Sequence, residues 1–310
     1  MEAQDKIDTS ALRRQRRGEF FLLAEEFLWG WFPIITLLCY RVVAPLWAMV
    51  FTMSTAALFF AIIMQWRGLW GELARRGAWP DLIRAASLIM LLFILVFTGL
   101  SYTTAGNGAL ILFMQVFFAY LYFNVFQGEA MSRAHRAGVA LMSLGALLVL
   151  FPDDTSLNPG DLLILLAAML APVANLYQQR ARRQVRAITL LFFRNLFSLP
   201  FLLLLAWLFA APPGGAELAT VWWLLLINGM LLMGLSKIFW IEALHRLTIT
   251  KVSAATALAP VFTMLFALPV LQEMPGGWQL AGMLPILLGG ILITRPSGPS
   301  TSSPEYHPGR

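Results

Sequence analysis

Between Glu129 and Gly145 the chain carries a carboxylate, a glycine nine positions on and a second glycine seven further, inside an apolar run. A shift of 144 positions finds the same spacing at Glu273, Gly282 and Gly289. Residues 100–150 align on 244–294 without a gap, with ten identities that include Thr104/Thr248, Phe118/Phe262 and Leu148/Leu292. Self-similarity at a fixed period means that one structural unit has been used twice. The shift of 144 is about half of the 310 residues, so the expected fold has two similar halves.

The medium in which those halves fold follows from composition. Of 310 residues, 59% are hydrophobic and 12% charged, with a mean hydropathy of +0.73. A soluble domain carries roughly 25% charged residues. Most of this chain is therefore expected in lipid. Ten apolar spans follow one another at about 18–40, 45–65, 83–103, 105–126, 134–151, 161–178, 188–209, 220–244, 251–271 and 278–294. An α-helix needs about 20 residues to cross ~30 Å of hydrocarbon. A barrel would need ~10-residue alternating strands, which these runs are not. The fold class expected is an all-α polytopic membrane protein. A polar, Arg-rich arm (1–17) precedes the first half (18–151); the second half (160–295) is followed by a polar tail (296–310). No small-residue cleavage site follows the first apolar run, so no cleaved signal peptide is expected. The net charge of +6 and pI of 9.9 do not point to nucleic acid, because the arginines lie between apolar spans. The single cysteine, Cys39, excludes an intrachain disulfide and a cysteine-based metal cluster.

Positive charge orients the spans. With the N-terminus inside, the inner segments hold 19 of the 22 lysines and arginines, the outer loops hold Arg41, and Arg194 and Lys237 fall within spans. Such a bias places both termini in the cytoplasm. Each half has five spans, an odd number, so the second half enters from the opposite side. Inverted repeats of this kind give a carrier two nearly equivalent states that face opposite sides.

The order of several stretches is similar to one family. Leu28-Trp29-Gly30 lies in span 1, and Ser101-Tyr102-Thr103-Thr104-Ala105-Gly106-Asn107 joins spans 3 and 4. Gly128-Glu129 ends span 4, with Gly138 and Gly145 in span 5; Ala259-Pro260-Val261 lies in span 9, and span 10 follows Glu273. Together they resemble the drug/metabolite transporter superfamily, specifically its EamA-type members, over about residues 18–295. The resemblance implies an inner-membrane carrier of bacteria or archaea for small organic metabolites, often an exporter of amino acids or toxic compounds. It also implies a central cavity lined by spans 1, 3, 4, 6, 8 and 9. Glu25 and Glu26 in span 1 and Lys237 in span 8 depart from the usual pattern.

Charges within the bilayer cost about 2.5–3.5 kcal/mol each on insertion scales, so they should face a cavity or one another. Glu25 and Glu26 lie about 10–12 Å from the inner end of span 1, and Lys237 and Arg194 lie at similar depth. Lys237 is expected to pair with one glutamate at the inner mouth of the cavity. The cluster then serves as a gate, a proton carrier or a site for a substrate carboxylate or ammonium, or else as a structural ion pair. Arg194 is expected to snorkel to the cytoplasm. Trp29, Gln115, Asn175, Asn228 and Trp240 are candidates to line the same volume, which would suit an amphipathic or aromatic solute. Glu129 and Glu273 would each meet the partial positive charge at the start of the span that follows. Gly138, Gly145, Gly282 and Gly289 would let helices approach closely.

No P-loop, His-Glu-x-x-His or Gly-x-Ser-x-Gly motif occurs. An enzyme is not expected, nor is a cofactor or a metal. The reading is a secondary transporter working by alternating access, an exporter of small organic metabolites in a bacterial inner membrane. Its partners are the lipid bilayer, a small-molecule substrate, protons as a candidate coupling ion, and a second copy in a homodimer. One alternative is an exchanger of nucleotide-linked or phosphorylated sugars, which would want several cations facing the cavity. Another is a membrane-embedded receptor or enzyme without transport.

Overall fold

The computed structural model describes residues 2–125, 132–150, 158–246 and 256–293. Among them every regular element is a helix. In hydrocarbon each backbone N–H and C=O must find its partner within the protein, and the helix supplies those partners within one segment.

Helix α1 runs over Glu2–Gly30 and resumes at Phe32–Tyr40; α2 is Pro45–Arg67 and α3 is Trp79–Leu100. Helix α4 combines Ala105–Phe113, Gln115–Tyr120 and a π-helical turn at Leu121–Val125; α5 is Arg133–Leu150. In the second half α6 is Pro159–Arg182 and α7 is Ala187–Phe209. Helix α8 combines Gly215–Leu226, a π-helical stretch at Ile227–Leu235 and Ser236–Arg246. Helices α9, Leu258–Leu271, and α10, Gly277–Ile293, complete it. Eight of the helical segments are long and apolar enough to cross a membrane; α9 and α10, with 14 and 17 described residues, are shorter.

Local chemistry sets several boundaries. Pro45 and Pro159 occupy first helical turns, where a missing N–H is harmless. Asn158 caps α6 by accepting from the Gly160 amide at 2.7 Å, and Thr104 caps α4 by accepting from that of Asn107 at 3.2 Å. Gly68, at φ 61°, ends α2. The break in α1 at Trp31 sits just before Pro33, which cannot donate to the carbonyl of Trp29.

The halves pack as an inverted pair. Contacts across the halves include α1 with α8, α3 with α6, α2 with α7, α4 with α9 and α5 with α10. Exchanging the halves turns the first pair into the second and leaves each of the others unchanged. The seam of α5 and α10 shows the direction. A Cβ on Gly138 would meet the carbonyl oxygen of Gly289 at 2.8 Å, and one on Gly145 that of Gly282 at 2.6 Å. Position rises on one helix as it falls on the other, so the two helices are antiparallel.

Trp66, Trp70 and Trp79 are exposed at the Arg-rich end, beside Arg67, Arg75 and Arg76, while Trp207, Trp222 and Trp223 are exposed at the other. Tryptophans at both borders mark a membrane-spanning body. At the Arg-rich end Glu72, between α2 and α3, accepts from the Arg186 amide at 2.8 Å and from Thr189 Oγ1 at 2.7 Å. These bonds join the two halves.

Candidate functional site

A cavity of about 120 Å³ lies between the halves. That is room for a few waters or a small organic group. Its walls come from α1, α3, α4, α6, α8 and α9, and also from α7 through Leu191 and Arg194. Most of the wall is apolar, with Phe32, Phe93 and Phe113 among its aromatics.

One polar cluster joins α1 to α8. Lys237 Nζ donates to Glu25 Oε1 at 2.7 Å, and Ser236 Oγ donates to the same oxygen at 3.2 Å. The ammonium lies 3.2 Å from the centroid of the Trp29 ring. That ring stacks on Phe32, with centroids 4.4 Å apart and planes 5° apart. Lys237 is thus held by a carboxylate and an aromatic face. Glu26, 1% exposed, also lines the cavity, and its Oε1 has no hydrogen-bond partner among the described residues. Adjacent helical residues point about 100° apart, which is why the two glutamates have different surroundings.

A second cluster joins α6 to α7. Arg194 Nη1 donates to Gln178 Oε1 at 3.0 Å, and Gln178 Nε2 donates to Asn175 Oδ1 at 2.9 Å. Arg194 is 4% exposed, and its guanidinium carbon lies 5.9 Å from the Phe93 centroid. The arginine expected to snorkel instead belongs to the cavity wall. Its side chain turns inward to a neutral amide, so α7 contributes to a cavity that had been assigned to six other helices. Arg194 and Gln178 were missed as site residues. Their signals were the shared depth of Arg194 and Lys237, and the i, i+3 spacing of Asn175 and Gln178.

Gln115, Asn175, Trp240 and Trp29 line the cavity as well. Pro260 does so near the start of α9, whereas Pro172 is buried behind Ala171. Asn228 does not line it. Its Nδ2 donates to Thr36 Oγ1 at 3.1 Å, and the residue is fully buried between α8 and α1. Nine residues at about 100° each place Asn228 half a turn from Lys237 on a regular helix, and the π-helical stretch over Ile227–Leu235 between them does not bring Asn228 to the cavity.

Glu273 does not serve its own helix. Its Oε2 accepts from the Ala105 amide at 3.1 Å and so caps α4. Burial pushes its carboxyl above the ordinary range, and backbone amides of Ala105 and Gly106 pull it part of the way back. Thr103 Oγ1 donates to Asp161 Oδ1 at 2.5 Å, so the corner between α3 and α4 is tied to both α6 and the α9–α10 connection. A second cavity, of about 450 Å³, lies at this corner beside Arg41 and Asn158, and Leu100 belongs to both cavities. Glu129 lies outside the described residues.

The sequence profile described as the EamA-like transporter family matches residues 16–151 and again 158–295. The chain belongs to the EamA-like transporter family. It is similar to a protein of Bacillus subtilis (strain 168) called "Uncharacterized transporter YoaV", at 23% identity over 199 residues. That match covers 63% of this chain and 66% of the relative, just under two thirds of its length. In fold, the chain is also similar to a protein of known crystal structure, with a TM-score of 0.67 and 18% identity over 90% of this chain and 98% of that one. The chain is thus a two-repeat all-α membrane protein of a transporter family.

Proposed function

We propose that this chain is a gradient-driven carrier that moves small organic solutes with an apolar or aromatic body out of the cell by alternating access. The observation that carries the reading is the buried cluster of Glu25, Glu26, Lys237 and Trp29 in a cavity between two inverted halves. Charges kept inside a bilayer face a pathway or a partner, and here one carboxylate has a partner and the other has an open oxygen. Glu26 is the candidate proton carrier, with Glu25 and Lys237 holding the wall beside it. The Arg-rich end faces the cytoplasm of a bacterial inner membrane, with both termini inside. The aromatic walls favour stacking on a planar solute. Lys237 is already paired, which argues against an exchanger of phosphorylated sugars.

The test is flux in proteoliposomes with labelled amino acids and aromatic cations, with and without an imposed pH gradient. Wild type is compared with Glu25→Gln, Glu26→Gln and Lys237→Met. Flux that follows the gradient, and loses that dependence in Glu26→Gln, supports the reading. Gradient-driven flux that persists unchanged in all three variants removes the cluster from the mechanism. Absence of flux for every solute tried counts against the carrier assignment.

A further inference from the structure

The cavity contains a cation that the Lys237 cluster does not satisfy. Arg194 is 4% exposed, yet among the described residues Gln178 supplies the one hydrogen bond of its guanidinium and Nη2 has no partner. No described carboxylate lies within ion-pair distance of it. Glu25 is already engaged by Lys237 and Ser236. A buried guanidinium with a neutral amide on Nη1, an aromatic ring beside it and an unpartnered Nη2 is incompletely satisfied. It lines the cavity, so its missing partner can come from whatever enters.

We propose that Arg194, steadied by Gln178, is a subsite for a carboxylate carried by the transported solute. The cavity then takes organic monoanions whose apolar or aromatic body lies along Phe93 and Trp29. The proposal rests on the carrier reading above and extends it to the chemistry of the solute. A guanidinium presents a planar fork that matches a carboxylate, and such charge-assisted pairs are roughly twice as strong as neutral hydrogen bonds. A phosphate dianion fits less well, because Lys237, the second cation, is held by Glu25. Glu26 also lines the cavity and opposes an anion whenever it is ionised. The two residues therefore act on a bound carboxylate with opposite signs.

The test uses the full chain in nanodiscs and three near-isosteres: 3-phenylpropanoate, 3-phenylpropanamide and 3-phenylpropylamine. Binding is measured by calorimetry, and flux of the same probes in proteoliposomes. Wild type should bind the carboxylate roughly tenfold or more tightly than the amide. Arg194→Gln should remove that preference by weakening carboxylate binding far more than amide binding, Arg194→Lys should keep part of it, and Glu26→Gln should strengthen carboxylate binding. The wild-type comparison and Arg194→Lys keep the test decisive if Arg194→Gln folds poorly. No preference for the carboxylate in wild type overturns the subsite, as does an equal loss for all three probes in Arg194→Gln. If the amide or amine is carried and the carboxylate is not, the subsite falls and the carrier reading stands. If no probe binds or moves, both fall.

Discussion

The Glu25–Lys237 pair can be separated from its surroundings by substitution. Removing one partner of a buried ion pair leaves the other charge unpaired, which costs about 3–5 kcal/mol. Lys237→Met should therefore destabilise the protein by about that much, read as a fall in Tm in detergent. The double variant Glu25→Gln/Lys237→Met should recover most of the loss. If the double variant is as unstable as the single one, the two residues are not an energetic unit. Glu273 allows a test by pH. Its carboxyl is raised from 4.5 by burial, so folding favours the protonated form. Stability from this group is present at pH below its unfolded value and is lost as pH rises through the raised folded value. Wild type should thus lose stability relative to Glu273→Gln as pH rises above 4.5 and through the raised folded value. A constant Tm difference across that range would count against the shift.

Among the elements, the seam of α5 and α10 is the most sharply specified. A Cβ at Gly145 would sit 2.6 Å from the Gly282 carbonyl oxygen and 2.9 Å from the Ile286 amide nitrogen, and neither backbone atom can rotate away. Gly145→Leu is expected to destabilise by about 1–3 kcal/mol or more, as overpacking does. Gly71→Ala, with open space at its Cβ, is the control and should leave Tm nearly unchanged. Equal effects from the two would mean that the seam is not close-packed. The spans, the repeat and the glycine spacing can be read in the chain because hydropathy and period are one-dimensional quantities. Breaks in the helices are less visible. Pro33 signals the one in α1, but nothing local signals the π-helical stretch of α8. Asn228 shares a span with Lys237, yet nine residues put it half a helical turn away, and its amide bonds to Thr36 and not into the cavity. Glu273 likewise looks like a cap for the helix that follows it, because sequence spacing describes neighbours along the chain and not across it. Arg194 was misplaced for a related reason: its depth was legible, but the direction of its side chain depends on Gln178 of another helix.

At the scale of the whole molecule, bonds cross between the halves at both ends, through Glu72 at the Arg-rich one and at the corner between α3 and α4 at the other. The corner between α3 and α4 belongs to the first half, yet Thr103 is bonded to Asp161 and the Ala105 amide to Glu273, both in the second. Leu100, at the end of α3, separates the central cavity from the one at this corner. Rocking of the halves about a central site would have to part these contacts in one state and restore them in the other. Cysteines at both positions of the Thr103–Asp161 pair, in a Cys39→Ala background, can be joined by a short reversible crosslinker. Cys39 is the only native cysteine and is buried, so its removal leaves the new pair as the sole thiols. Crosslinking should abolish most of the flux, and cleavage of the linker should restore it. Each single-cysteine protein treated in the same way should carry solute as before. Normal flux in the crosslinked protein would mean that the halves do not separate at this corner, and alternating access would then need a different moving boundary.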